Sequence, residues 1–538
     1  MSVMSKSSVK FVGLHAHSVF SVFDGLGYPQ DHMDFAYENG CDALALTDHG
    51  NMNGLSHQVL HAKKMQADGR GLKPIYGIEA YFIDSVDKWK EEYEEIRKNK
   101  KGRKKKEENS AVVIEDEEST KRQEKNIINR RAHLVLLAQN QTGLNNLFQL
   151  ISKSFNGDSF YRYPRIDYKM LAEHHEGIIV SSACMGGPLS KDYWNNRENG
   201  HEAVQEAMTA TISNFVEIFG DRFYGELQWN AIPEQHEINK HIIEASKKLD
   251  IKLISTADSH YPRPELFKDR ELYKQLGWLG KSKPDYADNV LPQSREELKY
   301  ELYPKNGDEM WESYKNYSKQ CEVTYDDDLV RESIEETHKI AHERIASFYP
   351  DSTVRLPDFV VPDGSTADQE LDRLCDGGIS EYGFSKQPEY IQRVKDELQV
   401  IKDRGFSKYF LTMKAVSDEA KKTQLVGAGR GSAAGSLVAY VLGITGIDPI
   451  KYGLLFSRFL RKDAKDYPDI DYDVGDPMVL KEILIEKWGK NTVVPISNYN
   501  TLQLRSLIKD ISKFYGLDFS EVNKVTGVML KEATPIAK

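Results

Sequence analysis

Cysteine is scarce in this chain: four residues in 538, Cys41, Cys184, Cys321 and Cys375, scattered and never in a C-x-x-C spacing. That excludes a disulfide framework and a zinc ribbon, and it suits a reducing compartment. Long apolar runs are also missing. No stretch approaches the ~20 residues that span a bilayer, and the opening MSVMSKSSVKFVGLHAHS lacks an apolar core with a cleavage site. The expectation is a soluble chain without a membrane partner, in a bacterial cytoplasm or, for a virus-encoded protein, the host's. Excess positive charge is absent too. With 72 Lys and Arg against 83 Asp and Glu, the net charge is −11. Nucleic acid would then be held by a local basic groove or through metal-neutralised acids, not by bulk charge. A chain of 538 residues exceeds one ordinary core, so two or three domains are expected.

What the chain does have, between residues 427 and 474, is a glycine-rich turn joined to a row of carboxylates. From Pro468 to Val474 the acids Asp469, Asp471 and Asp473 alternate with Ile470 and Tyr472. A strand would put all three acids on one face, where their mutual repulsion calls for a hard divalent cation such as Mg²⁺. The same alternation also describes a solvated edge strand. Upstream, Gly427, Ala428, Gly429, Arg430, Gly431 and Ser432 precede helix formers at 433–442. Backbone N–H groups there, a helix N-terminus and the Arg430 fork could receive a triphosphate. No Gly-Lys-Ser/Thr closes the loop, so it is not a Walker A site, and a plain turn before a helix fits as well.

From residue 11 to about 261, short apolar runs alternate with longer amphipathic ones. Strands are predicted at 11–14, 43–47, 75–82, 134–138, 177–181, 223–227 and 253–256. Helices are predicted at 143–155, 201–219 and 233–249, which together suggest a parallel-stranded barrel. Metal-ligand residue types stand at or just past the strands' C-terminal ends: His15 and His17, Asp48 and His49, Glu79, Cys184, Asp258 and His260. His133 departs from this rule by starting its run. One histidine is usually structural, but recurrence strand after strand points to a site for Zn²⁺, Mn²⁺ or Fe²⁺. Residues 84–131 are dense in charge of both signs, with a basic cluster from Arg97 to Lys106 and acids at 115–118. They read as an exposed, partly disordered insertion. Further helices are expected at 294–302, 328–348, 481–489 and 501–515, with Arg505, Lys509 and Lys513 on one face of the last.

These motifs carry two family resemblances. Leu14, His15, Ala16, His17 and Ser18 with Asp24 and Gly25, then Thr47 to Asn51, Gly77 to Glu79, His133, Ser182 to Cys184 and Asp258 to His260 resemble the polymerase-and-histidinol-phosphatase (PHP) domain family. That resemblance implies a (β/α) barrel and nine metal ligands: His15, His17, Asp24, His49, Glu79, His133, Cys184, Asp258 and His260. It further implies a 3′–5′ exonuclease centre suited to proofreading. The Gly429 to Ser432 turn, Ala434 to Tyr440, Asp448, Leu454 to Phe456, Arg458 to Leu460 and Pro468 to Asp471 resemble, in order, the palm of the C-family bacterial replicative DNA polymerases. By that resemblance Asp469 and Asp471 are catalytic and bind Mg²⁺. Gly429, Arg430, Gly431, Ser432 and Arg458 would contact the nucleotide, and Arg505, Lys509 and Lys513 the DNA. Residues 461–464 depart from the family's usual asparagine-proline-glutamate-arginine.

The resemblances imply an α/β and α+β multidomain chain: a PHP barrel over 1–345 with the insertion 84–131, a mixed α/β palm of nucleotidyltransferase type over 346–500, and the start of a helical thumb over 501–538. Primer–template DNA and deoxynucleoside triphosphates are the implied substrates. The family's third catalytic aspartate, its fingers and its clamp-binding region lie beyond this sequence. Polymerisation is therefore expected to need a C-terminal part or a second polypeptide. Two alternatives are a stand-alone PHP phosphoesterase or exonuclease and a non-catalytic assembly half of a split polymerase.

Overall fold

A computed structural model describes residues 7–107, 125–277, 291–353, 358–361, 364–463, 467–490, 492–494, 496, 501 and 503–529. The apolar runs of the N-terminal part become strands: β1 (Ala43–Leu46), β2 (Lys73–Phe82), β3 (Ala132–Ala138), β4 (Phe160–Tyr161), β5 (Tyr163–Ile166), β6 (Ile178–Ser181), β7 (Phe223–Gln228) and β8 (Leu253–Thr256). They form one sheet in the order β4-β5-β2-β3-β6-β7-β8, with β1 beside the first half of β2. The predicted strand at 11–14 makes only single bridges, but these close the ring. Gly13 pairs with Leu44 of β1, and Ala16, two residues past the predicted strand, pairs with Ser259 just past β8.

The expected all-parallel barrel is corrected to a mixed one. β3 runs antiparallel to both β2 and β6, whereas β1–β2, β6–β7 and β7–β8 are parallel. The cause lies in the segment between β2 and β3, which returns the chain to the end where β2 finishes. There the Trp89 indole N–H donates to the Ile127 carbonyl, pinning the outgoing helix Val86–Glu107 to the returning chain. That helix also corrects the solvated insertion. Val86, Trp89 and Tyr93 are buried with Ile127 and Ile128 in the outer core, at helical spacing within a charge-rich sequence. Beneath Trp89 lies the fully buried Arg165, its guanidinium 4.2 Å from the indole centre and donating to the carbonyls of Tyr161, Tyr163 and Arg130. Residues 108–124, including the acids at 115–118, lie outside the described residues, as do the side chains of Lys100 to Lys106.

Strand alternation sorts the barrel's two faces. Ile75, Val135, Leu137, Ile179, Tyr224 and Ile254 fill the interior with Val12 and Leu14, while Tyr76, Ile78, Leu134 and Leu136 pack outward under helices. Ile340, Ala341 and Ile345 complete the interior cluster from the end of helix Asp327–Lys339 and the π-helical turn Ile340–Arg344. Apolar packing therefore plugs the interior at one end of the barrel, and the inward-facing polar residues gather at the other. The helix predicted at 294–302 is only the 3₁₀ turn Arg295–Glu297.

By its contacts the chain divides into Met1–Asp351 with Leu502–Lys538, and Ser352–Thr501. Within the first, helix Leu504–Phe514 packs on helix Phe519–Gly527. The second unit has helices Ala367–Glu381, Pro388–Asp403, Ser407–Thr423, Leu437–Val441 and Pro477–Trp488 around a core that includes Leu371, Cys375, Ile401, Phe410, Leu437 and Val438. Among its described residues the expected palm sheet is reduced to one antiparallel bridge, Val426 to Val474. A ladder cannot extend from it, because the partner chain turns at once through Gly429 (φ 157°) and Gly431 (φ 66°). No helix of the described residues is long and apolar enough to cross a membrane.

Candidate metal centre

The alternation that fills the barrel also aims its polar residues. Glu79 shares the inward face of β2 with Ile75, and His133 shares that of β3 with Val135 and Leu137. His133 stands next to the start of β3, just after Ala132, because β3 runs backwards and its N-terminal end lies where the parallel strands finish. The departure noted in the sequence is thus a consequence of topology.

At that end the nine side chains singled out in the sequence converge. His15 Nε2 lies 3.3 Å from Glu79 Oε1 and 3.2 Å from Asp258 Oδ1. His17 Nε2 lies 3.5 Å and 3.4 Å from Glu79 Oε2 and Asp258 Oδ1. His49 reaches Glu79 through Nδ1 at 2.5 Å and Asp24 through Nε2 at 3.1 Å. His133 Nδ1 is 3.0 Å from Glu79 Oε1, Cys184 Sγ is 3.6 Å from His133 Nδ1, and His260 Nε2 is 3.5 Å from Asp24 Oδ2. Three overlapping sets emerge whose ligand atoms lie within 4.8 Å of one another: His15, His17 and Glu79; His17, His49 and His260; His49, Glu79 and His133. Asp258 and Ala183, which precedes Cys184, both take left-handed backbone angles (φ 48° and 57°), an uncommon cost for non-glycine residues that aims the ligands inward.

Whether metal ions fit here is answered by atoms that hydrogen bonding leaves over. His15 Nε2, His17 Nε2, His49 Nδ1, Glu79 Oε2 and Asp258 Oδ1 are buried, make no hydrogen bond of good geometry, and instead crowd one another and the cluster's other carboxylate oxygens at 2.5–3.5 Å. Buried polar atoms are rarely left so, and divalent cations between them would satisfy every one. The electrostatics agree. Burial works against ionised Glu79, yet His133, His49 and His15 hold its pKa well below the ordinary carboxylate value. Burial alone would lower His15, but Asp258, Glu226 and Glu79 outweigh it and raise its pKa. His17 is pushed down by burial and by His49 and His260, which keeps it in the neutral, ligating form. Burial beside Glu79 and Asp258 raises the Cys184 thiol, so it would ligate only if a metal displaced its proton.

Three supporting residues were not anticipated in these roles. Glu226, on β7, is 1% exposed and accepts from Thr256 Oγ1 (2.6 Å) and Ser181 Oγ, while its Oε1 lies 2.8 Å from His15 Nδ1. It fixes the imidazole so that Nε2 points into the cluster, an arrangement typical of metal-binding histidines. The signal was a single carboxylate inside the apolar run 223–227. Asp48 sits behind His17: its carboxylate accepts from the Ser18 amide at 2.7 Å and from Ser21 Oγ at 2.7 Å, and Ser21 Oγ lies 2.9 Å from His17 Nδ1. Arg270, buried on helix Phe267–Leu276, donates to both the carboxylate and the carbonyl of Asp24. Nothing in its local sequence distinguished it.

In the second unit the candidate residues are less gathered and, apart from the half-buried Asp471, exposed. The Gly427 amide donates to the Asp473 carbonyl at 2.9 Å, and Arg430 pairs with the Asp473 carboxylate at 3.2 Å. A Cβ on Gly431 would stand 2.2 Å from Asp471 Oδ2, so the loop backbone lies directly against that carboxylate. Tyr409 accepts from the Ile470 amide at 3.2 Å; burial, with Asp469 and Asp471 close by, raises its pKa. Gly429, Ser432 and Arg458 are exposed. Among the described residues, none of the metal-sized ligand sets includes Asp469, Asp471 or Asp473.

Two expectations are corrected here. The carboxylates do not alternate along a strand, for the reason given above. The helix after the loop is not a free anion site either. Ser432–Gly435 is a 3₁₀ turn, Leu437–Val441 has five residues, and the buried Glu397 already accepts from the Leu437 and Val438 amides at 3.0 Å each. Arg505 donates to the Thr526 and Gly527 carbonyls, Lys509 lies 5.9 Å from the Phe519 ring centre, and Lys513 lies 3.8 Å from Asp510. The first two thus engage the next helix of their own chain.

Comparison with known proteins supports the order of these parts. Residues 13–230 match the family model described as PHP domain, and residues 369–538 match that of the bacterial DNA polymerase III alpha NTPase domain. The DNA polymerase III subunit alpha of Aquifex aeolicus is 34% identical over 531 residues, 96% of this chain and 41% of that protein. Those of Borreliella burgdorferi and Campylobacter jejuni are 32% and 30% identical, over 96% and 97% of this chain and 40% and 41% of theirs. The chain thus spans about two fifths of the length of these relatives. Over the part it spans, the chain is similar to the DNA polymerase III alpha subunits: a match to the PHP domain is followed by a match to the bacterial DNA polymerase III alpha NTPase domain.

Proposed function

We propose that this chain serves DNA replication as the PHP-bearing part of a C-family DNA polymerase in the cytoplasm. Its barrel is the 3′–5′ exonuclease that removes misadded nucleotides, and residues 369–538 contribute part of the centre for template-directed nucleotide addition. The observation that carries the first half is the convergence of nine ligand side chains at the barrel's open end, with buried atoms left over for cations. His15, His17, Asp24, His49, Glu79, His133, Cys184, Asp258 and His260 would hold Zn²⁺, Mn²⁺ or Fe²⁺. When bound, such ions supply Lewis-acid stabilisation to a phosphodiester and make water a competent nucleophile.

The chain's own residues set the approach. Glu79, His15 and His17 are fully buried, whereas the side chains of Asp24 and His133 are 35% and 23% exposed. Substrate therefore enters from the Asp24 and His133 side. Beside His133, the Arg131 guanidinium stacks 3.8 Å from the Tyr163 ring centre and 5.0 Å from that of Tyr81. This gives a donor fork for a phosphate next to aromatic faces for a base.

In the second unit Asp469 and Asp471 are the proposed Mg²⁺ ligands. The backbone of 429–432, Arg430, Ser432 and Arg458 would hold the triphosphate, and Arg505, Lys509 and Lys513 the primer–template DNA. A C-terminal polymerase part or second polypeptide would complete this centre and bring the sliding clamp. The test assays 3′-end degradation and primer extension by this chain alone, then with a polypeptide carrying the family's third aspartate. Degradation is expected from the chain alone and extension only from the pair. A second reading, a stand-alone phosphoesterase, is favoured by the ungathered acids of the second unit. It holds if no supplied polypeptide restores extension while degradation persists.

A further inference from the structure

The plugged end of the barrel carries another group of ligand side chains. His338 and His342 stand four residues apart where helix Asp327–Lys339 passes into the π-helical turn, and their rings lie 4.3 Å apart, centre to centre. Both face Asp42, the residue before β1. His338 Nε2 lies 3.4 Å from Asp42 Oδ2, and His342 Nε2 lies 3.1 Å from Oδ1. All three ligand atoms fall within 4.8 Å of one another. The group is separate from the barrel centre, because Asp42 precedes β1 whereas Asp48 and His49 follow it.

The spacing favours a shared cation. In a tetrahedral zinc site with bonds of about 2.0–2.1 Å, neighbouring ligand atoms stand about 3.3 Å apart. The two observed separations, each to a different oxygen of Asp42, straddle that value; the shorter is also a His342–Asp42 hydrogen bond, and the longer exceeds an ordinary N–H···O bond. The ligands are also held in place before any ion arrives. Lys73 Nζ donates to the Ala341 and Ile345 carbonyls at 2.6 Å each, and the Lys73 amide donates to the Asp42 carbonyl at 2.8 Å. One residue thus fixes both the histidine turn and the carboxylate segment. Gln139 adds a hydrogen bond to the Arg344 carbonyl at 3.0 Å. Asp42 is half exposed, which leaves room for water to complete the coordination.

We propose that Asp42, His338 and His342 form a surface site for a borderline divalent ion, Zn²⁺ foremost, tying the start of β1 to the turn that plugs the barrel. Two imidazoles and one carboxylate suit Zn²⁺, Ni²⁺ or Cu²⁺, while Mg²⁺ and Ca²⁺ prefer oxygen ligands alone. Lys10 and Lys73 are the nearby cations, acting on His338 and Asp42 respectively, and they moderate the affinity.

The test counts Zn²⁺ on the metal-stripped full chain by equilibrium dialysis with elemental analysis. Wild type is compared with the double variant His338→Asn, His342→Asn and with Asp42→Asn. Ions at the barrel centre are common to all three, so the difference isolates this site. Wild type should bind one more Zn²⁺ per chain than the double variant, and Asp42→Asn should bind that ion at least tenfold more weakly. Zn²⁺ should raise the melting temperature of a His15→Asn chain, and this rise should vanish when the double substitution is added. Equal Zn²⁺ counts in wild type and the double variant, with matching metal-free melting temperatures to show that both are folded, would overturn the proposal.

Discussion

The open end of the barrel and the carboxylates at 469–473 use the same ligand chemistry under opposite physical conditions. In the barrel Glu79 and His15 have no exposed side-chain surface, and every ligand is set by a strand end or by a residue packed behind it. In the second unit the Arg430 and Asp473 side chains are 65% and 52% exposed, and the row forms one isolated bridge in place of a strand ladder. Breaking a buried charge cluster by removing one member costs roughly 3–5 kcal/mol. An exposed pair such as Arg430 and Asp473 contributes at most about 1 kcal/mol. The barrel therefore has its geometry before substrate arrives. Under the proposed function, the loop keeps Arg430 in a contact weak enough to exchange for an incoming phosphate.

The strongest way to break this contrast is to remove a buried ligand. Asp258→Ala should take metal-dependent 3′ degradation to the level of the buffer control, while a reconstituted pair still extends primers. The converse pair, Asp469→Ala with Asp471→Ala, should abolish extension by the reconstituted pair and leave degradation within about twofold of wild type; each is read on a labelled oligonucleotide. Residues behind the ligands come next. Glu226→Gln should weaken metal binding or degradation about 10- to 100-fold, as expected for a group that orients a ligating histidine, with Glu226→Asp retaining more than the glutamine variant.

Acid should separate the two regions as well. Burial pushes His32 down to about 4, with its Nε2–H donating to the Leu26 carbonyl at 2.8 Å. The unfolded imidazole takes its proton near 6.5, so between about 6.5 and 4 the unfolded state binds more protons. First-unit stability contributed by neutral His32 is complete above about 6.5 and is lost as pH falls towards 4, by roughly 3 kcal/mol at most. Urea unfolding of the metal-free chain at pH 7.5 and 5 should show this loss, and it should shrink in His32→Gln. The smallest effect is expected from Gly431→Ala. Gly431 (φ 66°, ψ −157°) lies in a backbone region essentially reserved for glycine, which costs another residue of order 1–3 kcal/mol, and the new Cβ displaces the Asp471 carboxylate. Calorimetry should register a shift of a few degrees in the melting of the second unit, with degradation unchanged.

The barrel was legible because its two signals reinforce each other: apolar runs located six of the eight strands, all but the short β4 and β5, with a seventh run at 11–14 that forms only bridges, and ligand-type residues recurred at their ends. What escaped depended on direction or on distance. Nothing local to 132–138 says that β3 runs backwards, although His133 near its start was the trace of it. Trp89 and Tyr93 keep helical spacing, but the charges around them hid it. Glu226 and Arg270 act on His15 and Asp24, more than 200 positions away in sequence. In the second unit the alternation at 468–474 was genuine, yet alternation specifies a strand only when a partner can run beside it. Here the partner turns away at Gly429. The same limit hid Glu397, whose carboxylate closes a helix terminus that looked open in the sequence.

The central claim is that the barrel holds a hydrolytic metal centre complete within this chain. Its most direct test is the release of 3′ nucleotides from a single-stranded DNA oligomer by the metal-stripped chain, resupplied in turn with Mn²⁺, Zn²⁺ and Fe²⁺, beside Asp258→Ala. The account predicts stepwise shortening from the 3′ end with at least one of these ions in wild type and none in the variant. An intact oligomer with all three ions, or equal shortening by both proteins, would contradict it.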